Sequence, residues 1–313
     1  MYWPYLRSKQ NEVLAFRDLA VNLSPLVVPI FKPVTLYAFE NRIKSILDSG
    51  LRVSIVVNSD QGDPIPQSQE VLRIVGDLIT RNPGFIFPAL EVSSTTNIKD
   101  IKVFDSMFNG VQTVFVHRNH LFNEAGIQSQ IVNFISPVHV FHSGEAPSHI
   151  INGFQKNSRV LIRDGFSRQN VNGDYPAQSN FDDLVYNYNS LGFNGFGDCA
   201  SVGDYYAKGG GNPAHVALHL TEERSKNIIC NHFVSSSAPG SSTEDMYWDA
   251  LGKLMQYVGN PPSQPFNTSG VYDYVNNYVS GSYKALGFPK KCSIKHHVEM
   301  IDRIISNGRV AFV

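Results

Sequence analysis

Residues 27–58 read VVPIFKPVTLYAFENRIKSILDSGLRVSIVVN, and this one stretch carries a strand, a helix and a second strand. VVPIFKPV and VSIVVN are short apolar runs rich in β-branched residues. Between them Leu36, Phe39, Ile43, Ile46 and Leu47 recur at three- and four-residue spacing, which draws one apolar stripe down a helix. Gly50 follows, where a left-handed cap ends such a helix. Two strands joined through a packed helix are parallel neighbours of one sheet, and runs apolar on both sides of the pleat suit strands covered on both faces.

The same alternation repeats outward in both directions. Strands are expected at 2–7, 27–34, 53–58, 85–92, 113–118, 138–142, 160–166 and 194–200. Helices are expected between them at 11–20, 36–49, 67–81, 100–109, 121–132, 147–156 and 182–191. Eight strands with helical crossovers predict an α/β fold, a (β/α)₈ TIM-barrel-like cylinder. The competing arrangement is an open doubly wound sheet, and no GxGxxG or GxxxxGK[ST] loop follows the first strands to support it. Residues 202–241 read as a hairpin or lid insertion after the eighth strand, with runs at 215–221 and 227–234 joined by the polar TEERSK turn. Residues 242–313 read as C-terminal helices, at 243–258, 270–279 and 295–306, so that 1–313 is one barrel domain.

Composition narrows the function classes. With 42% hydrophobic and 17% charged residues the chain has the apolar content for a core. Its 26 basic and 27 acidic side chains leave no global positive field, so contact with nucleic acid is expected only locally, if at all. Cys199, Cys230 and Cys292 lie far apart without CxxC spacing, which fits a reducing cytoplasm better than a disulfide framework. No signal-peptide order and no apolar run of about 18 residues occur, so no membrane association is expected.

Five segments carry a family resemblance: YLRSKQNEVLAFRDLA at 5–20, PIFKPV at 29–34, IRDGF at 162–166, and above all GFGDCASVGDYYAKGGGNPAHVALHLTEE at 195–223 followed by IICNHFVSS at 228–236. In these the chain resembles an uncharacterised, Sce-named family of bacterial proteins that is similar in turn to the Beta protein family. The resemblance implies a barrel-like fold and a setting in phage-defence or mobile-element modules, often beside a companion that looks like a PD-(D/E)XK nuclease. It implies no known reaction. The second strand of such proteins more usually reads Pro-Ile-Ile-Glu-Pro, whereas Lys32 stands here in the place of that acid.

Barrel enzymes carry their reacting groups at the carboxyl ends of the strands. That rule selects Lys32, Asn58, Glu91, His117, Arg118, His142, Asp164 and Asp198. Glu91, Asp164 and Asp198 are the candidate catalytic carboxylates, with Mg²⁺ a possible guest between them. Lys32, Asn58, His117, Arg118 and His142, with Asp204 and Lys208 from the glycine-rich segment at 203–211, are the candidate ligand-binding groups. Together they suit a small anionic or nucleotide-like ligand and hydrolysis of a phosphoester; a non-catalytic sensor or scaffold for the nuclease-like companion is the alternative. A glycosidase using Glu91 with a second carboxylate is a third. Among the histidines, His215 and His219 lie four apart on a strand, about 13 Å from one another, and cannot readily share a metal, so no stable zinc site is expected.

Overall fold

The computed structural model describes residues 1–62, 68–118, 124–131, 134–207, 213–236, 241–260 and 267–310. Eight parallel strands follow one another around a single sheet: β1 (Tyr5–Leu6), β2 (Ile30–Phe31), β3 (Val53–Val56), β4 (Ile86–Val92), β5 (Val114–His117), β6 (Val138–His142), β7 (Arg159–Ile162) and β9 (Gly195–Gly197). The last returns to the first. Trp3 N–H donates to Phe196 O at 2.7 Å, Phe196 N–H to Met1 O at 3.0 Å and Tyr5 N–H to Asp198 O at 2.8 Å, and Tyr2 bridges Phe196 in parallel. These bonds close the sheet into the barrel expected from the sequence.

Helices α1 (Gln10–Leu19), α2 (Phe39–Leu47), α3 (Ser68–Arg81), α4 (Ile98–Phe108), α5 (Glu124–Ile131) and α6 (Ser148–Asn152) cross between the strands. Phe39, Ile43, Ile46 and Leu47 are the buried face of α2, the stripe the sequence draws. Asn97 starts α4 by accepting from the N–H groups of Lys99 and Asp100, which satisfies two donors no helical carbonyl can reach. Glu12, buried in the first turn of α1, accepts from Arg7 N at 2.8 Å and so ties the end of β1 to the helix that follows it.

Strand parity sorts the barrel's side chains. Trp3, Tyr5, Val28, Ile30, Val56, Phe87, Ala89, Val114, Val116, Val140, Val160 and Ile162 share one apolar cluster with Cys199, the inside of the cylinder. Their neighbours in sequence, among them Leu6, Phe31, Ile55, Leu90, Phe115, Phe141, Leu161 and Phe196, belong to a second cluster that packs against the helices. Side chains alternate faces along a strand, so the next residue of the inner set is two positions further on.

Three elements differ from the sequence expectation. The segment expected as a helix at 182–191 yields only a short helix, α7 (Leu184–Asn187), and a strand absent from the expectation, β8 (Gln178–Asp182), runs up to that segment's first residue. β8 pairs antiparallel with β11 (Asn227–Val234), which pairs with β10 (Ala217–Arg224), giving a three-stranded sheet. The hairpin turn is shorter than TEERSK: the strand runs on through Arg224, and only Ser225 and Lys226, both in the left-handed region, make the turn. The last helix begins earlier than residue 295. It runs as α10 (Gly287–Val310), because Pro289 stands in its first turn, where a missing N–H breaks no helical bond.

The hairpin expected as a lid is packed on both faces. Val216, Leu218, Leu220 and Phe233 meet Met246, Tyr247 and Leu251 of α8 (Thr243–Gly259), Val271 and Tyr274 of α9 (Ser269–Ser280), and Cys292 of α10. The opposite face meets Phe166, Tyr175 and α10, whose Ser293 Oγ donates to His219 O at 2.7 Å. No helix among the described residues is long and apolar enough to cross a membrane.

Candidate functional site

Two residues beyond the inner apolar set, at the carboxyl ends of the strands, parity places Arg7, Lys32, Asn58, Glu91, Arg118, His142 and Asp164. Seven of the eight strands thus present a polar group to one mouth, and Cys199 is the eighth. The contacts confirm the convergence. Lys32 Nζ lies 2.5 Å from Glu91 Oε2, and the Tyr5 hydroxyl donates to Glu91 Oε1. Lys32 also meets Asp60, an exposed loop carboxylate, at 2.5 Å. The Asn58 side chain clasps the backbone of Glu91 with two bonds of 2.8 Å, fixing where that carboxylate stands.

Across the mouth a second knot forms around Asp204. Its carboxylate takes Arg7 at 2.5 Å and Arg118 at 2.8 Å, with His142 Nδ1 at 3.8 Å. Arg118 also reaches Glu145 at 2.8 Å. Asp204 comes from the loop after β9, and Gly203 lets it: at φ +71° a β-carbon there is strained and would press on Phe166 and Asp164. The loop is pinned by Asp164, which accepts from Asp204 N–H at 2.7 Å and from Phe166 N–H at 3.0 Å.

Electrostatics follow from this packing. Burial pushes the Asp204 carboxyl up, but the Arg118 and Arg7 guanidiniums beside it outweigh burial and bring it down to about 2. Burial, reinforced by Arg118, lowers His142 to about 3, so its imidazole is neutral at pH 7. Burial and the neighbouring Glu91 raise Tyr5 well above the usual phenol range, so it remains a donor. Beside Arg7, Lys32, Arg118, Glu91 and Asp164, the mouth thus holds an ionised Asp204, a neutral imidazole and a protonated phenol.

Two of the residues selected from the sequence point elsewhere, and period two is the reason. His117 has the parity of the outer set: it stacks on Phe141 at 4.4 Å and faces His139, with Nε2 and Nδ1 3.1 Å apart. Asp198 also faces outward. It accepts from Tyr2 Oη and Ala200 N–H at 2.8 Å each and meets His297 Nε2 at 3.1 Å, on the side of α10. A Mg²⁺ ion shared by Glu91, Asp164 and Asp198 is therefore not what this geometry offers, since the third carboxylate lies on the other face of the wall. Lys208 lies outside the described residues. Arg7 and Tyr5 belong to the mouth but not to the sequence selection; reading Trp3, Tyr5 and Arg7 at period two would have found both.

A small cavity lies beyond the wall, lined in part by Phe181, Asp182, Asp198 and Ile301. Its interior of about 10 Å³ is room for one water. Asp182 Oδ2, which lines the cavity, has no hydrogen-bond partner among the described residues. This cavity is not a substrate pocket.

No family model matches the chain, and no curated protein or solved structure matches it either.

Proposed function

We propose that the barrel mouth binds a small phosphorylated, nucleotide-like molecule, and that the protein serves a bacterial phage-defence or mobile-element module, as its family resemblance implies. One observation carries the ligand class: Arg7, Lys32 and Arg118 project from three strands into one layer, with two of their counter-ions, Asp60 and Asp204, supplied by loops. Guanidinium forks match phosphate geometry bidentately, so a phosphate that displaces a loop carboxylate keeps the charge balance and gains a planar match. His142 and Tyr5, whose rings meet edge to face at 4.9 Å, add neutral polar groups to the same layer.

Hydrolysis of a phosphoester is the reaction this arrangement would serve. Water attacks phosphorus, the ester P–O bond breaks, and the leaving alcohol takes up a proton; Glu91 and Asp164 are the inward carboxylates available to receive the proton of the attacking water. Asp198 is not proposed in that role. A second reading, a non-catalytic sensor or scaffold for a nuclease-like companion, is favoured by one feature. Glu91 already accepts from Lys32 and Tyr5, and Asp164 from two backbone N–H groups, so both carboxylates are engaged by the protein's own donors.

Calorimetric titration with a panel of ribonucleoside mono- and diphosphates tests the binding. At least one is expected to bind, with Arg118→Ala weakening it tenfold or more; no binding across the panel refutes the ligand class. Turnover of bound ligand that Glu91→Gln removes assigns a hydrolase. Binding without turnover assigns the sensor.

A further inference from the structure

We propose that His219 Nδ1, His232 Nδ1 and Cys230 Sγ form a binding site for a thiophilic divalent cation, zinc being the expected occupant. The three side chains share one face of the hairpin: His219 and His232 are direct cross-strand partners, and Cys230 precedes His232 by two positions. The potential ligand atoms all lie within 4.8 Å of one another. This is not the His215 and His219 pair, which lies four apart along one strand and which the sequence reading sets aside as too widely spaced to share an ion. The antiparallel register brings together residues 13 positions apart.

The distances are those of a site close to assembled. The two Nδ1 atoms are 2.8 Å apart, and Cys230 Sγ is 4.0 Å from His232 Nδ1. Around a tetrahedral zinc with Zn–N of about 2.0 Å and Zn–S of about 2.3 Å, these separations become about 3.3 and 3.5 Å, so each changes by about 0.5 Å. Two nitrogens at 2.8 Å cannot both carry protons on the facing atoms; at least one imidazole offers a lone pair there. Ser179 Oγ lies 2.8 Å from His232 Nε2 and fixes that ring from behind, the outer-shell contact that metal-bound histidines use. Tyr175 stacks on His232 at 4.8 Å, and Phe166 meets His219 edge-on at 4.9 Å, walling the cluster with apolar rings. Two imidazoles and a thiolate suit a borderline-soft ion, and three protein ligands leave a fourth position for water. A bound cation takes the place of the thiol proton, which is released to solvent.

The site is separate from the mouth, so it stands or falls independently of the ligand proposed there. The test is titration of the metal-free full chain with Co²⁺. The expected result is a thiolate-to-cobalt charge-transfer band that saturates at one equivalent and disappears on adding Zn²⁺. Cys230→Ser is expected to abolish the band, while Cys199→Ser and Cys292→Ser retain it. If Cys230→Ser does not fold, His219→Gln, at a half-buried position, serves instead and is expected to weaken Co²⁺ binding at least tenfold. Absence of the band in the wild-type chain, or its survival in Cys230→Ser, overturns the proposal.

Discussion

Lys32→Met is expected to cost about 3–5 kcal/mol of folding stability, read as a shift of the urea midpoint. Lys32 and Glu91 are 3% and 6% exposed, and their charged atoms meet at 2.5 Å inside the mouth. Removing the ammonium leaves a buried carboxylate with the Tyr5 hydroxyl as its remaining side-chain donor among the described residues, and an uncompensated charge in a desolvated place is what makes such losses large. Asp60 adds little to the cost, because at 74% side-chain exposure it returns to water. The double variant Lys32→Met, Glu91→Gln is expected to recover more than half the loss, since the amide is neutral and still accepts from Tyr5. A loss below about 1 kcal/mol in the single variant would mean that water solvates the pair and that the mouth is open.

Gly197→Ala is expected to lower stability by about 3 kcal/mol or more, enough to deplete folded protein in expression. A β-carbon at Gly197 would stand 2.0 Å from Trp3 O and 3.1 Å from Ile162 Cγ1. The first contact is backbone, so β9 and the opening strand must part at the seam that closes the cylinder. Gly76 in α3 is the control: nothing lies within 4 Å of its β-carbon position, and Gly76→Ala is expected to stabilise by about 0.5–1 kcal/mol through helix propensity. Thermal melts of the two variants check the contrast. Equal, small effects would indicate a sheet that is not tightly closed at that edge.

These two positions show how far the sequence is legible. The eight strands are readable because parallel strands covered on both faces are written as continuous apolar runs, and the barrel follows from counting them. The direction of each side chain is readable as well, but only through parity: Glu91 and Asp164 fall on the inner set and Asp198 on the outer, although all three end strands. What composition and spacing do not reveal is pairing between distant segments. Gln178–Asp182 is a polar run whose strand character comes from β11 beside it, and nothing local to QSNFD announces that partner. The meeting of Arg7 with Asp204, nearly two hundred residues later, depends on closure of the cylinder and on the left-handed turn at Gly203. For the same reason the His219, Cys230 and His232 cluster emerges only once the hairpin register is fixed.

Each mouth cation named here is paired with an acid. On the proposed reading, a ligand phosphate would compete with Asp204 for Arg7 and Arg118, so that binding and displacement of the loop would be one event. The most direct test is a crystal structure of the full chain soaked with adenosine monophosphate. The expected density places the phosphate within hydrogen-bonding distance of Arg7 and Arg118, with Asp204 withdrawn from at least one of them. A nucleotide bound elsewhere on the molecule, with the Arg7–Asp204–Arg118 knot undisturbed at saturating concentration, would contradict the account.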